Sequence, residues 1–233
     1  MGEIADYAID RALASEADHA CFEAHHMILP RRAHITVATA PSAAQRIIRE
    51  ACVLESLNHP GIPRVFDCGV IADGLPWVAR ELVGGTRVAA SLGPRDVAEL
   101  LREVAGILAH AHGRGVIHGD VWLDAVVRVD GALRVLNWRH ARTGNATDGA
   151  GDVYALGLAA YATLPADPPR RLGVLLAEML AADPDARPTA ETVAREAARI
   201  LDDPADDDVE EVALLVDLSR DANGASGSWE IQG

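Results

Sequence analysis

Gly115-Val-Ile-His-Gly-Asp120 is an apolar pair followed by a histidine, a glycine and an aspartate, set between two segments of different hydrophobic period. Upstream, from Pro94, apolar residues recur at helical spacing for about twenty residues and stop near His112-Gly113. Downstream, Val126–Val129 and Leu133–Leu136 flank Asp130-Gly131, a hairpin signal. Further toward the N-terminus, Val65–Val70 and Trp77–Val83 flank Ala72-Asp73-Gly74, a second hairpin. Before it, Ser42–Leu57 carries Ala44, Ile47, Ile48, Ala51 and Leu54 at helical spacing and is stopped by His59-Pro60-Gly61. Residues 6–40 are short apolar stretches broken by polar clusters, which predicts strands. Toward the C-terminus the chain reads as helices to about Leu201, punctuated by Pro165, Pro168-Pro169, Pro184 and Pro188. Strands with one helix, then helices around a small hairpin, make a two-lobed α+β arrangement. The expected units are a β-rich lobe over 5–84, a helical lobe over 85–201 and an acidic, flexible tail over 202–233.

A chain of 233 residues with 49% hydrophobic content can bury a sizeable core, and with only 4% aromatics that core rests on Leu, Val, Ile and Ala. The net charge of −14 argues against nucleic acid and anionic membrane surfaces as partners. Residues 202–233 hold ten acidic side chains against Arg220 alone, so the tail accounts for −9 and the rest of the chain for −5. Cys21, Cys52 and Cys68 are odd in number and have no metal-ligand spacing, so free thiols in a reducing cytoplasm are the expectation. No signal peptide is legible in Met1–Asp10, and the apolar runs near Tyr154–Leu164 and Leu172–Ala182 are too short to cross a bilayer. His25-His26 lies near a strand turn and His110-x-His112 on a helix, where i and i+2 point apart, so ordinary surface or packing histidines are expected. All 21 basic side chains are arginine; GC-rich codon usage can produce this, but it supplies no lysine where chemistry would need one.

Four segments in order carry a resemblance to the bacterial Ser/Thr protein kinase family: Glu55-Ser-Leu-Asn-His-Pro-Gly-Ile-Pro-Arg-Val-Phe-Asp67, Gly115–Asp120, Gly151-Asp-Val-Tyr-Ala-Leu-Gly157 and Asp183-Pro-Asp-Ala-Arg-Pro-Thr189. The resemblance covers roughly Tyr7 to Leu201 and implies a kinase-like fold, with Gly115–Asp120 as its catalytic loop. By the same resemblance Thr36 stands where the family has its ATP-binding lysine, and His34 where it has the small alanine beside adenine. Leu13–Ala20, in the place of the phosphate-covering loop, has no glycine, and Glu16 and Asp18 there would repel phosphate. Glu50 matches the glutamate that pairs with the missing lysine, and Arg80 the residue at the back of the pocket; Arg80 either escapes to solvent or pairs with Glu50 inside the cleft. Asp120 and His118 match the catalytic aspartate and its neighbour, while Gly119, Trp122 and Ala125 replace the loop's arginine, lysine and metal-binding asparagine. Asn137-Trp138-Arg139 stands at the metal-binding Asp-Phe-Gly site, so both family ligands for Mg²⁺ are weakened. Leu54, His118, Trp138 and Asp152 match a packed column linking the lobes.

Only fourteen residues separate Asn137 from Asp152, without the Ala-Pro-Glu motif, so the peptide platform is nearly gone; the helix after the one that starts at Gly151-Asp152, αG, is expected to be missing too, since Leu164 is followed within a few residues by Pro168-Pro169. Arg187 has thereby lost its family partner and is read as a surface arginine bonding to Asp183 or Asp185. His118-Gly119-Asp120 with Leu136-Asn137-Trp138 also resembles the aminoglycoside and choline phosphotransferases, which lack the Asp-Val-Tyr-Ala-Leu-Gly signature. The short activation segment resembles the pseudokinase module attached to some bacterial lipid-II flippases. Together these imply a catalytically inactive kinase-like module that binds a protein partner in bacterial signalling, with no cofactor and no metal. The alternatives are a weak phosphotransferase using Asp120 as base with ATP and Mg²⁺, and a nucleotide sensor without catalysis.

Overall fold

A computed structural model describes residues 2–144 and 149–202; the expected acidic tail after Asp202 lies outside the described residues. The first lobe is one antiparallel sheet made of β1 (Glu3–Ile4), β2 (Tyr7–Ser15), β3 (His19–His26), β4 (Arg32–Ala38), β5 (Val65–Val70) and β6 (Pro76–Glu81), in the order β1-β2-β3-β4-β6-β5. Helix α1 (Pro41–Leu57) connects β4 to β5. It starts on a proline, whose fixed φ suits the first turn, and ends at Asn58 in the left-handed region, φ 32°, followed by the prolyl stop.

The two-residue period of the strands sorts their side chains. Ala33, Ile35 and Val37 of β4 join Trp77 and Ala79 of β6 in a core on one face of the sheet. Val78 and Ala38 lie on the other face, under Ala43 and Ile47 of α1. His34 and Thr36 share the parity of Ala38, Arg80 shares that of Val78, and His34 pairs in register with Arg80. Three polar side chains are thereby delivered to the face that α1 covers.

The second lobe contains α2 (Pro94–His112), α3 (Ala150–Tyr161), α4 (Arg170–Met179) and α5 (Ala190–Asp202). Short strands β7 (Thr86–Arg87), β9 (Val126–Val129) and β10 (Ala132–Val135) form one small sheet, and β8 (Val116–Ile117) pairs with β11 (Arg142–Thr143). Val53, Leu54 and Leu57 of α1 belong to the same continuous core as Leu101, Trp138 and Leu156 of the helical lobe. The fold expected from the sequence is therefore the fold found, with strand and helix ends displaced by one or two residues. Trp77–Val83 shortens to Pro76–Glu81, where the chain leaves the sheet for the second lobe. Among the described residues no helix lies between Tyr161 and Arg170, and none is long and apolar enough to cross a membrane.

Gly157 shows how tightly the helices meet. A Cβ built there would lie 2.9 Å from the Met179 Cβ of α4. Alanine favours an isolated helix by nearly 1 kcal/mol over glycine, yet Gly157→Ala is expected to destabilise by about 1–3 kcal/mol because α3 and α4 must separate. Urea unfolding checks this; an alanine variant as stable as the parent would refute the close approach.

Candidate functional site

The cleft between the lobes is walled at the back by β4, β6 and α1. The Arg80 guanidinium, arriving from β6, forms an ion pair with Glu50 of α1, and its Nε–H donates to His34 Nδ1 at 3.3 Å. Both charged side chains are largely enclosed, Arg80 at 21% and Glu50 at 11% exposure. Of the two readings the sequence left for Arg80, the structure has the pair with Glu50 rather than escape to solvent. Burial and the neighbouring Arg80 charge push the His34 imidazole down to about 3, so it is neutral and free to accept. Thr36, buried beside it, is 3.5 Å from His34 Nδ1 and 3.8 Å from Cys21 Sγ. Burial pushes the Cys21 thiol up, which keeps it protonated.

At the turn between β2 and β3, Asp18 is tied down rather than left free. It is in contact with His19 at 2.7 Å and accepts from Arg46 of α1 at 3.2 Å. The hydrogen bond with His19 is the main cause holding its carboxyl below the usual range, with Arg46 adding to it. Glu16, Asp18 and His19 bring ligand atoms within 4.8 Å of one another, the one such cluster among the described residues, but the Asp18 carboxylate is already engaged.

The loop on the opposite side of the cleft is organised by Asp152, at the start of α3 and 2% exposed. Its carboxylate accepts the His118 N–H and the Gly119 N–H, each at 2.8 Å, and His112 Nε2–H at 2.9 Å. Burial would raise this carboxyl, but the three donors outweigh it and hold it below the ordinary aspartate value. Gly119 has φ 78°, and a Cβ there would stand 3.0 Å from the His140 carbonyl oxygen, so the arginine-to-glycine change suits this backbone. His118 is fully buried. It donates Nε2–H to the Leu136 carbonyl at 2.9 Å, accepts the Asp120 N–H at 3.2 Å through Nδ1, and meets the Trp138 ring edge-on at 4.6 Å. Burial lowers its pKa, in keeping with a neutral imidazole. Leu54, buried in the same core as Trp138, extends this column into the first lobe.

Asp120 itself is engaged by its neighbour: the Trp122 Nε1–H donates to Asp120 Oδ1 at 2.8 Å while the indole is 55% exposed. Ala125 is buried and ends a 3-10 turn; Asn137 is exposed, in the left-handed region at φ 61°, at the head of the turn that seats Trp138.

Two features were not legible beforehand. Glu81, the last residue of β6, receives a bidentate pair from Arg134 of β10, both contacts at 2.7 Å, and Arg134 also donates to the Ile62 carbonyl at 3.2 Å. Hydrogen bonding to Arg134 is the main reason the Glu81 carboxyl sits below its ordinary value. The Val135 N–H adds a bond of 2.8 Å to the Gly61 carbonyl beside it. The lobes are thus joined across the back of the cleft by a salt bridge and by backbone. The second feature corrects an expectation. Arg187 bonds to neither Asp183 nor Asp185; it donates to the carbonyls of Ala181, Ala182 and Ala150 and lies 4.5 Å over the Tyr154 ring. It is a structural residue: the Ala181 and Ala182 carbonyls lie just past the end of α4, where carbonyls lack intrahelical partners, and the Ala150 carbonyl ties it to the start of α3.

A β-rich lobe and a helical lobe around a cleft, with an aspartate-bearing loop anchored by a buried aspartate on the following helix, define a protein kinase-like domain. No protein-family model matches the chain. The chain is 28% identical over 229 residues to the Ser/Thr-protein kinase PknF of Mycobacterium tuberculosis, covering 78% of this chain and 48% of PknF. It is 32% identical over 127 residues to PknJ of the same organism, covering 50% of this chain and 21% of PknJ. The crystal structure of the Mycobacterium tuberculosis PknI kinase domain superposes with a TM-score of 0.64 at 26% identity, covering 85% of this chain and 97% of that one. In sequence the chain is similar to bacterial Ser/Thr protein kinases and its fold is protein kinase-like, and it spans about half the length, or less, of the curated relatives it matches.

Proposed function

We propose that this domain is a catalytically inactive member of its family, a pseudokinase that works as a protein-interaction module in bacterial signalling. The observation that carries the reading is the Glu50–Arg80–His34 group at the back of the cleft. The glutamate that would position a phosphate-binding lysine is spent on an arginine from the neighbouring strand, and Thr36 offers no charge in the lysine's place. The remaining positions agree. Mg²⁺ is held through carboxylates and phosphates, whereas Ala125 has no donor atom and Asn137 has an uncharged amide. That set does not suit Mg²⁺–ATP. Asp120, the one remaining candidate base, is held by the Trp122 indole.

The interaction half of the proposal is supported by the turn between β3 and β4. There Met27, Ile28 and Leu29 are three consecutive apolar side chains at 47%, 84% and 46% exposure. Single exposed apolar residues are ordinary; a run of three at a loop tip marks a contact surface.

Titrating ATP with and without Mg²⁺ while following thermal unfolding tests the reading. A ligand at a hundredfold excess over its Kd stabilises by about 2.7 kcal/mol, roughly 5–10 °C for a domain of this size. We expect no shift at millimolar ATP. A Mg²⁺-dependent shift overturns the inactive reading and restores the phosphotransferase alternative; a shift independent of Mg²⁺ selects the nucleotide sensor.

A further inference from the structure

Helices α4 and α5 enclose a groove of about 680 Å³ on the helical lobe, away from the cleft. Its floor is Val174, Leu175 and Ile200; Val174 is 46% exposed although α4 otherwise buries its large aliphatic residues. The rim carries Arg170 and Arg171 in the first turn of α4, where the helix dipole adds positive potential. Across the groove Glu196 is already neutralised within α5, by Arg199 at 2.9 Å and Arg195 at 3.5 Å. The groove is therefore apolar along its floor, with arginines in the first turn of α4 at one end and Glu178 near the last turn at the other.

The chain supplies a segment of matching chemistry at this place. Helix α5 ends at Asp202, two residues beyond the groove residue Ile200. Residues 203–208 follow, rich in aspartate, and then Val209-Glu-Glu-Val-Ala-Leu-Leu-Val-Asp-Leu218. In this segment Val209, Val212, Ala213, Leu215 and Val216 recur at the spacing of one helical face, with Glu210 and Asp217 on its flank. We propose that Val209–Leu218 docks into the α4–α5 groove of its own chain, its valines on the Val174–Ile200 floor and its acidic residues toward Arg170 and Arg171.

The reach suffices. Six connecting residues span up to about 20 Å, and the ten residues of α4 measure only about 15 Å. A tether this short gives an effective concentration of the order of millimolar, so weak contacts hold the segment without help from a partner. A protein presenting the same valine-and-acid pattern would compete with the tail for the groove.

Amide hydrogen exchange on the full chain tests this. Docking protects Val209–Leu218, to the same degree at every protein concentration. Val174→Asp, at an exposed position, and Val212→Asp each raise exchange in 209–218 about tenfold, the response of a local opening equilibrium. Arg170→Glu serves as a second groove variant should Val174→Asp disturb α4 itself. Exchange of 209–218 at the unstructured rate in the parent chain overturns the proposal. So does protection that survives both groove variants, which would put the segment elsewhere, and so does protection that grows with concentration, which would put it on a second copy.

Discussion

Replacing Asp152 with alanine is expected to lower the stability of the domain by about 3–5 kcal/mol, the usual cost of removing one partner from a buried charged network. The side chain is 2% exposed and accepts three hydrogen bonds, two of them from the backbone of the loop that carries Asp120. Its removal strands the N–H groups of His118 and Gly119 and the ring of His112 away from water, and each unmade buried bond costs about 1–3 kcal/mol. For a domain of this size the melting temperature should fall by roughly 10 °C. Urea unfolding measures the loss directly, and a deficit under about 1 kcal/mol would mean the anchor contributes little. The same group sets a pH dependence. Its carboxyl is held below the ordinary aspartate value of 3.8, so the unfolded chain takes up a proton first as the pH falls. The contribution is complete above that value and is lost as the pH drops through the lower folded value. Asp152→Asn, which cannot titrate, should therefore show a shallower acid limb below about pH 4 than the parent chain.

The second large effect lies in the cleft. Arg80→Met is expected to cost about 2–4 kcal/mol, somewhat less than for a fully dry pair because both groups retain some contact with water. The loss is not one of packing, since methionine fills much of the same volume; it comes from leaving Glu50 in an enclosed site beside a neutral imidazole. The test is a double-mutant cycle with Glu50→Gln. Each single change strands a partner, whereas the pair removes both charges, so the double variant should be more stable than the sum of the singles by about 1–3 kcal/mol. Single effects that add to within about 0.5 kcal/mol would show that Arg80 and Glu50 do not act together.

The strands and helices were largely legible because their periods are strong. Residues such as Ile47, Leu54, Val104 and Leu108 repeat on helical faces, and Asp130-Gly131 stands where the β9–β10 hairpin turns, with both residues at positive φ. The order of four motifs singled out Asp120 and Asp152 directly, and Glu50 and Arg80 through the segments between the motifs. What a motif does not carry is direction. Arg80 could leave the cleft or enter it, and the decision rests on strand parity and register, which set it opposite His34 and under α1. The Glu81–Arg134 bridge joins residues far apart in the chain and in different lobes, and no local pattern connects them. Arg187 was misread for a related reason. Its partners are main-chain oxygens exposed by helix ends, and which carbonyls stay open depends on where helices stop in space, not on the side chains that a sequence displays. The Trp122 indole on Asp120 is the opposite case: both residues were singled out, two positions apart, but a loop has no fixed period from which to infer that they touch.

The bridge from Glu81 to Arg134 acts at the point where two lobes would pivot, and the Val135–Gly61 backbone bond lies beside it. Contacts so close to a pivot have little lever arm: they keep the two lobes attached along one edge, and rocking about that edge is the relative movement they oppose least.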